Sequence, residues 1–516
     1  MGYGIQPHTV VSDTTPVTEL PQPDVLVIGS GNAAFSAALS AREQGADVLM
    51  LEKAPREWVG GNTWFTAGAF RLTHDGLADL DGLVEAHNGQ IDLPPYRVAD
   101  YLADMRRVTR NKCDPVLTEI LITEAREAAR WMHRYGIRWR LMTERQAYES
   151  DGHYRFWGGL SVGTSGGGAG LVDAYVRAAD DAGITLLTDS PVEDFVRNGD
   201  RIVGVRARLQ GEVAELRAGA VVLASGGFEA AADLRARHLG SDWLLAHVRG
   251  TPHNTGELLL AAIGAGAQAH GDWGSCHSIA WDAAAPRSGD RSVSNRYSRQ
   301  AYPFGLVVNR LGRRFVDEGA DFRNYTYAKY GAEILRQPGG VAYQLFDQKT
   351  LPLISEVDYS TAHASRYEAD SIDELARLAG IEAVGLRETV REYNAAVQPG
   401  TFDPAVLDGK GTAGIAPPKS NWAQTLDAPP FVGFAVVCGI TFTFGGLRID
   451  SEGAVLRPTG QPVPGLFAAG EAVGGLFYHN YPGGTGLASG TVFGRRAGRT
   501  AAIHARATAR PPLKSP

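Results

Sequence analysis

DVLVIGSGNAAFSAALSAREQGADVLMLEK, residues 24–53, decides how the chain folds. VLVI is an unbroken apolar run, as a strand buried on both faces of a parallel sheet requires. Gly29, Gly31 and Ala34 follow as GxGxxA. The first glycine allows a tight turn, the second lets a pyrophosphate approach the backbone, and the small third residue lets helix pack on strand. The stretch from Asn32 and Ala33 onward reads as the helix, with its N-terminus aimed at the phosphates. VLMLE is the next strand and ends at Glu52, beside Lys53, where an acid holds ribose hydroxyls. A glycine turn alone is weak evidence. Here strand, turn, helix, strand and acid fall in register, so a dinucleotide-binding unit is predicted.

Three further segments repeat the strand-then-glycine pattern. GGNTWFTAGAFRLTH (60–74) offers Gly60, Gly61, Asn62, Thr63, Ala67 and Gly68 as a second loop on the same ligand. VVLASGGFE (221–229) contributes Ala224, Ser225 and Gly226, and GLFAAGEAVGG (465–475) contributes Gly470 and Glu471. Units this far apart imply a discontinuous nucleotide domain with other material inserted. YHNYPGGTGLASG (478–490) then sets Tyr481 on a proline- and glycine-built corner. A helix starting at Gly486 and Leu487 would turn its positive dipole end toward the ligand.

The chain has 516 residues, 44% of them hydrophobic, enough for more than one core. A net charge of −7 speaks against a nucleic-acid binder. No apolar run reaches the length of about 18 residues that a membrane span needs. The N-terminus lacks a basic start followed by an apolar stretch, so it reads as a loose tail and not a signal peptide. Cys113, Cys276 and Cys438 form no CxxC, which excludes a self-contained Cys-ligated cluster, a c-type haem and a disulfide framework. A cytoplasmic setting is expected. Residues 93–145 carry apolar side chains at helical spacing, and 170–209 reads helix, strand, strand, NGD turn, strand.

The predicted fold is α/β: a discontinuous Rossmann-type domain with an inserted α+β cap. Its expected parts are a tail at 1–20, a first nucleotide segment at 21–240 with the helical insert, a cap at 241–365, a second nucleotide segment at 366–505, and a tail at 506–516.

Together the motifs resemble the flavoprotein family of fumarate reductase and succinate dehydrogenase, with the 3-ketosteroid dehydrogenases. The likeness runs from Asp24 to about Gly498 and includes GELLLAAIGAGA (256–267), GLVVNRLGRRFVDE (305–318) and FGRRAG (493–498). APREWVGGNT, TAGAFRLTHDG, the CH of GSCHSIAWDA, RFVDEGADF and TFTFGGLRID are most similar to the tricarballylate dehydrogenase branch. The resemblance implies FAD, facing a mobile cap. Covalent members carry a histidine where this chain has Asn62, which implies non-covalent FAD.

The same resemblance places NYPGGTG at the flavin. Fumarate reductases have an arginine in the place of Tyr481 and a histidine in the place of Phe442. Tyr481 instead resembles the ketosteroid dehydrogenase tyrosine that donates to a substrate carbonyl. A phenol on a rigid corner would steady the enolate that grows as a C–C bond is desaturated. His277 resembles a cap histidine that touches substrate carboxylate. For the proton carrier, the family register falls on Phe322; Arg323 is one residue late, with Tyr325 in reserve and Tyr327 beyond. His479, Arg249 and His253 are left open by the sequence.

The expected activity is FAD-dependent dehydrogenation of a C–C bond beside a carboxylate or ketone. Its alternatives are an ene-reductase running the reverse reaction and a flavin-binding protein without turnover. The expected partners are a small carboxylic acid or cyclic ketone as substrate and an external electron acceptor: a quinone, an iron–sulfur protein or oxygen.

Overall fold

The computed structural model of the chain describes residues 22–150, 152–359 and 364–509. The opening motif forms as read. Val25–Ile28 is a fully buried strand, Asn32–Glu43 a helix and Val48–Leu51 a second buried strand. They belong to a six-stranded sheet in the order 454–456, 462–468, 220–223, 25–28, 48–51, 185–187. Pairing is parallel except at the 454–456 edge, with Val25 opposite both Ala220 and Val48. Strands that arrive from both halves of the sequence make this domain discontinuous.

Helix Asn32–Glu43 is buried from Asn32 to Ala41 because it is covered on every side. The sheet lies on one face, and Phe35 stacks on Tyr175 of helix Gly167–Asp181 at 5.4 Å between ring centroids. The last helix, Thr485–Ala509, covers another face through Gly490, Gly494 and Gly498. Side chains are excluded there: a Cβ on Gly494 would lie 2.6 Å from the Ala33 carbonyl oxygen, and one on Gly498 would lie 2.0 Å from that of Ala37. Small residues on both helices let the backbones touch, so the two helix starts are held side by side.

The predicted helical insert forms as Val98–Val108 and Pro115–Arg134. The Asp114 carboxylate accepts from the N–H groups of Val116 and Leu117, and Pro115 occupies the first helical position. Leu117, Leu121, Ala125, Ala128 and Met132 give the longer helix its buried stripe. The 170–209 reading also holds, as helix Gly167–Asp181 and strands Thr185–Leu187, Val192–Asn198 and Arg201–Leu209.

The cap departs from its expected boundary at 365. Its sheet is built around one long strand, Phe431–Leu447, which pairs with 247–248, 269–282, 341–346 and 366–369. Helices Ile372–Ala379 and Ala383–Ala396 bury Leu375, Leu386 and Tyr393 against that sheet. Residues 366–447 therefore belong with the cap, and the chain rejoins the first sheet only at Ala454. The boundary was hidden because a cap strand reads like any other apolar strand. The last helix also runs past 506 to Ala509. The expected tail at 1–20 and the rest of the tail at 510–516 lie outside the described residues.

Gly498→Ala is expected to lower stability by about 1–3 kcal/mol in denaturant unfolding, the cost of forcing atoms into a packed contact. Gly264→Ala is the control: an added Cβ there meets nothing within 4 Å, and a change under about 0.5 kcal/mol is expected. Equal effects at the two positions would contradict the close helix crossing.

Candidate active site

One cavity of about 490 Å³ touches Glu52, the glycine loops and Tyr481. Gly29, Gly31, Asn32, Ala33, Glu52 and Lys53 form part of its wall. At the start of helix Asn32–Glu43 the Asn32 N–H donates to Thr63 Oγ1 at 2.9 Å and the N-cap, Gly31, has no side chain, leaving the next donors of the first turn for an anion. A Cβ on Gly31 would meet no protein atom closer than Thr63 Oγ1 at 3.6 Å, so the space before it belongs to the cavity. Gly29 has the opposite reason: φ is +108°, and a Cβ would press on the Ala224 carbonyl oxygen at 2.4 Å.

The Glu52 carboxylate accepts from Ser30 Oγ at 2.6 Å and from the Ala54 N–H at 2.8 Å. One bond on each oxygen leaves accepting capacity for sugar hydroxyls. Lys53 Nζ donates to Thr255 Oγ1 and to Glu257 at 3.2 Å. Gly61, Asn62, Thr63 and Ala67 continue the wall, as do Ala224, Ser225 and Gly226. Gly470, Glu471, Gly486 and Leu487 complete the set. Ala34, Gly60 and Gly68 do not reach the cavity. Ala34 is wholly buried in the helix packing. Gly60 is packed against Val172 and Gly68 against Thr164. A cavity lined by a helix start, an acid and facing glycines fits a dinucleotide flavin.

Asn62 ties the two domains together. Its Nδ2 donates to Glu229 Oε1 at 2.6 Å and to the Thr441 carbonyl at 2.7 Å, and its Oδ1 accepts from the Thr251 N–H at 2.9 Å. Glu229 Oε1 also accepts from Asn254 Nδ2 at 2.7 Å, and Glu471 Oε1 accepts from the Thr443 N–H at 2.7 Å. Burial pushes the pKa of both acids up, and the charge of Glu229 raises Glu471 further. Two adjacent buried carboxyls disfavour a double negative charge.

The aromatic end is built around Tyr481. The corner is pinned from behind: the buried Arg71 donates from Nε to the Gly483 carbonyl at 2.8 Å and from its N–H to the Gly484 carbonyl at 3.0 Å. Asn480 Nδ2 donates to the Tyr325 carbonyl at 2.7 Å, and Asn480 Oδ1 accepts from the Tyr481 N–H at 2.9 Å. Ring centroids of His277, Phe442 and Phe477 stand 4.8, 5.1 and 5.4 Å from that of Tyr481. The Tyr481 hydroxyl meets the Tyr327 hydroxyl at 2.5 Å. Burial holds the pKa of each phenol above its ordinary value, so both are neutral donors at physiological pH.

His277 is 2% exposed, and neither ring nitrogen has a protein partner among the described residues. Burial first, and the Arg249 charge second, hold its pKa well below 6.5. It is therefore a neutral imidazole with one donor and one acceptor available to a ligand.

Two expected residues are not at this site. The Tyr325 hydroxyl lies 2.6 Å from Asp104 Oδ2 and 2.7 Å from the Gly158 carbonyl, either of which can accept its proton, behind the corner. The Arg323 guanidinium lies 5.0 Å over the Trp157 ring. Both sit in the short turn Arg323–Tyr325, and the helix that follows, Tyr327–Leu335, sends Tyr327 into the cavity. A turn separates side chains two residues apart onto different faces, which family register alone does not show. His479 also lies off the cavity, its N–H bonded to Asp272 Oδ2 at 3.0 Å. His253 and Arg249, left open by the sequence, both line it.

A family model described as FAD binding domain matches residues 24–487. The chain is 30% identical over 486 residues to a probable fumarate reductase, Ifc3, of Shewanella frigidimarina (strain NCIMB 400), covering 93% of this chain and 75% of that one. It is 26% identical over 571 residues to a 4-oxocyclohex-2-ene-1-carboxylate 5-dehydrogenase of Sinomonas cyclohexanicum, covering 93% of each. A solved 3-ketosteroid delta1-dehydrogenase from Sterolibacterium denitrificans shares the fold, with a TM-score of 0.70 at 20% identity over 93% of this chain and 99% of that one.

The raised pKa values of Glu229 and Glu471 make their contribution to stability largest below the ordinary glutamate value, with loss as pH rises through the folded-state values. The thermal midpoint of Glu471→Gln should therefore fall less than that of the parent between about pH 5 and about pH 8. Parallel curves for the two proteins would show that no proton is shared there.

Proposed function

Since the chain belongs to the FAD binding domain family, we propose that this FAD-dependent oxidoreductase acts on the C–C bond beside a carbonyl and works as a dehydrogenase. The observation that carries this reading is the buried pair of neutral phenols, Tyr481 and Tyr327, at the aromatic end of the cofactor cavity. Desaturation removes a proton from Cα and a hydride from Cβ, leaving a C=C bond. When bound, FAD supplies the sink for that hydride and its electron pair.

Tyr481 donates to the substrate carbonyl oxygen as negative charge grows on it, and Tyr327 donates in turn to Tyr481. Donors already in place and shielded from water need no reorganisation at that moment, which is worth about 3 kcal/mol for one well-placed group. Neutral His277 takes the Cα proton on its free ring nitrogen. Phe442 and Phe477 keep water from the reacting carbons. Glu52 would hold the ribose of bound FAD, and the starts of the first and last helices would supply N–H donors to its pyrophosphate and ring system. Asn62 has no nucleophile and its amide is engaged by protein groups, so the flavin is held without a covalent bond. No helix among the described residues is long and apolar enough to cross a membrane. Electrons leave to an external acceptor: a quinone, an iron–sulfur protein or oxygen. The three cysteines are free thiols, in keeping with action in the cytoplasm.

The substrate class is an acid that also carries a carbonyl-type oxygen. A cyclic keto acid, of the kind named in the Sinomonas 4-oxocyclohex-2-ene-1-carboxylate 5-dehydrogenase, meets both needs. A tricarballylate-like acid meets them if one carboxyl takes the carbonyl's place at Tyr481. A second reading is favoured by the 30% identity to a probable fumarate reductase: the same groups run in reverse, reducing an activated alkene.

Anaerobic addition of 4-oxocyclohexanecarboxylate should bleach the flavin band near ~450 nm. Tyr481→Phe should slow that bleaching by about tenfold to a thousandfold with flavin content unchanged. Acid precipitation should leave the flavin in solution. An unslowed Tyr481→Phe variant would reduce the phenol to a turn residue. Reoxidation of dithionite-reduced protein by an alkene, with no bleaching by any saturated acid or ketone, would select the reverse reaction.

A further inference from the structure

Arg249 lines the same cavity and is 6% exposed. Its protein partners are all neutral. Nε donates to Asn295 Oδ1 at 3.0 Å, Nη2 donates to that same oxygen, and Nη1 donates to Thr441 Oγ1 at 2.8 Å. The Trp281 ring lies 5.7 Å from the guanidinium carbon. A guanidinium has five N–H groups, so two remain without a protein acceptor among the described residues.

Four other arginines with buried side chains have a carboxylate partner, while the buried Arg235, away from this cavity, donates to the Trp243 and Glu229 carbonyls. Arg71 has Asp104 at 3.6 Å, Arg145 has Asp358 at 2.6 Å, Arg299 has Asp282 at 2.8 Å, and Arg314 has Glu318 at 2.6 Å. A buried charge without a counter-ion is costly. Burial holds the Arg249 pKa below its usual value, the expected sign of that cost. Arg145 also lines the cavity, but Asp358 already neutralises it. Asn295 Oδ1, which also accepts from Ser298 Oγ at 2.8 Å, orients the Arg249 fork and brings no charge. His277, with two unpartnered ring nitrogens, faces the same space.

We infer that Arg249 binds a carboxylate of the substrate and is the group that makes this cavity selective for anionic substrates. The inference rests on the reading of the cavity as a substrate site and adds which end of the substrate goes where: carboxylate to Arg249, carbonyl oxygen to Tyr481, with His277 left to the proton. Bringing in that carboxylate completes the missing ion pair, so a neutral analogue leaves the cation unpaired.

The test is a titration of the FAD-loaded protein with cyclohexanecarboxylate and with cyclohexanecarboxamide, followed by the flavin difference spectrum, which needs no turnover. The parent should prefer the carboxylate by about 100-fold, the range for a hydrogen bond to a charged group. Arg249→Met should bring that preference close to one, and Arg249→Lys should retain part of it. Flavin content of each variant reports whether it has folded. A parent that binds acid and amide alike, or an Arg249→Met protein that keeps the preference, overturns the inference. The dehydrogenase reading fails separately, if the acid binds with this preference and no saturated keto acid ever bleaches the flavin.

Discussion

The contact between the first and last helices is the constraint on which the site depends. Gly490, Gly494 and Gly498 lie against Asn32, Ala33, Ser36 and Ala37 so closely that no side chain fits between them. Residues from opposite ends of the chain are thereby fixed to each other. The starts of both helices face one cavity, and the corner carrying Tyr481 directly precedes the second of them. Arg71 pins that corner from the nucleotide domain. The cap strand Phe431–Leu447 and the strand Ala269–Asp282 place Phe442 opposite His277 above it.

Chemistry at the aromatic end follows from burial. Two phenols and an imidazole are all held uncharged by desolvation, and the positive charge near them is a buried arginine without a carboxylate. The site thus presents neutral donors where an enolate would grow and an unmatched cation where an anion would sit. Asn62, bonded to groups of both domains, keeps the cap in register with the cofactor wall.

The opening motif was legible because its signals are local. Buried strands read as apolar runs, and the turn needs its glycines within a few residues. The discontinuity of the nucleotide domain was legible too, since the strand-and-glycine unit recurs far along the chain. The extent of the cap was not, because the pairing of Phe431–Leu447 with Ala269–Asp282 is long-range. Nor was the choice among Arg323, Tyr325 and Tyr327. A short turn decides which of them enters the cavity, and a turn is not legible from residue spacing alone. The significance of Arg249 lies in the absence of a counter-ion, which exists only once the whole fold has assembled.

The most direct measurement is a crystal structure of the FAD-loaded protein with 4-oxocyclohexanecarboxylate bound. The ketone oxygen is expected at hydrogen-bond distance, about 2.7 Å, from the Tyr481 hydroxyl, with Tyr327 behind it. A Tyr481 ring turned away from the flavin, or a ketone bound with its oxygen elsewhere, would contradict it.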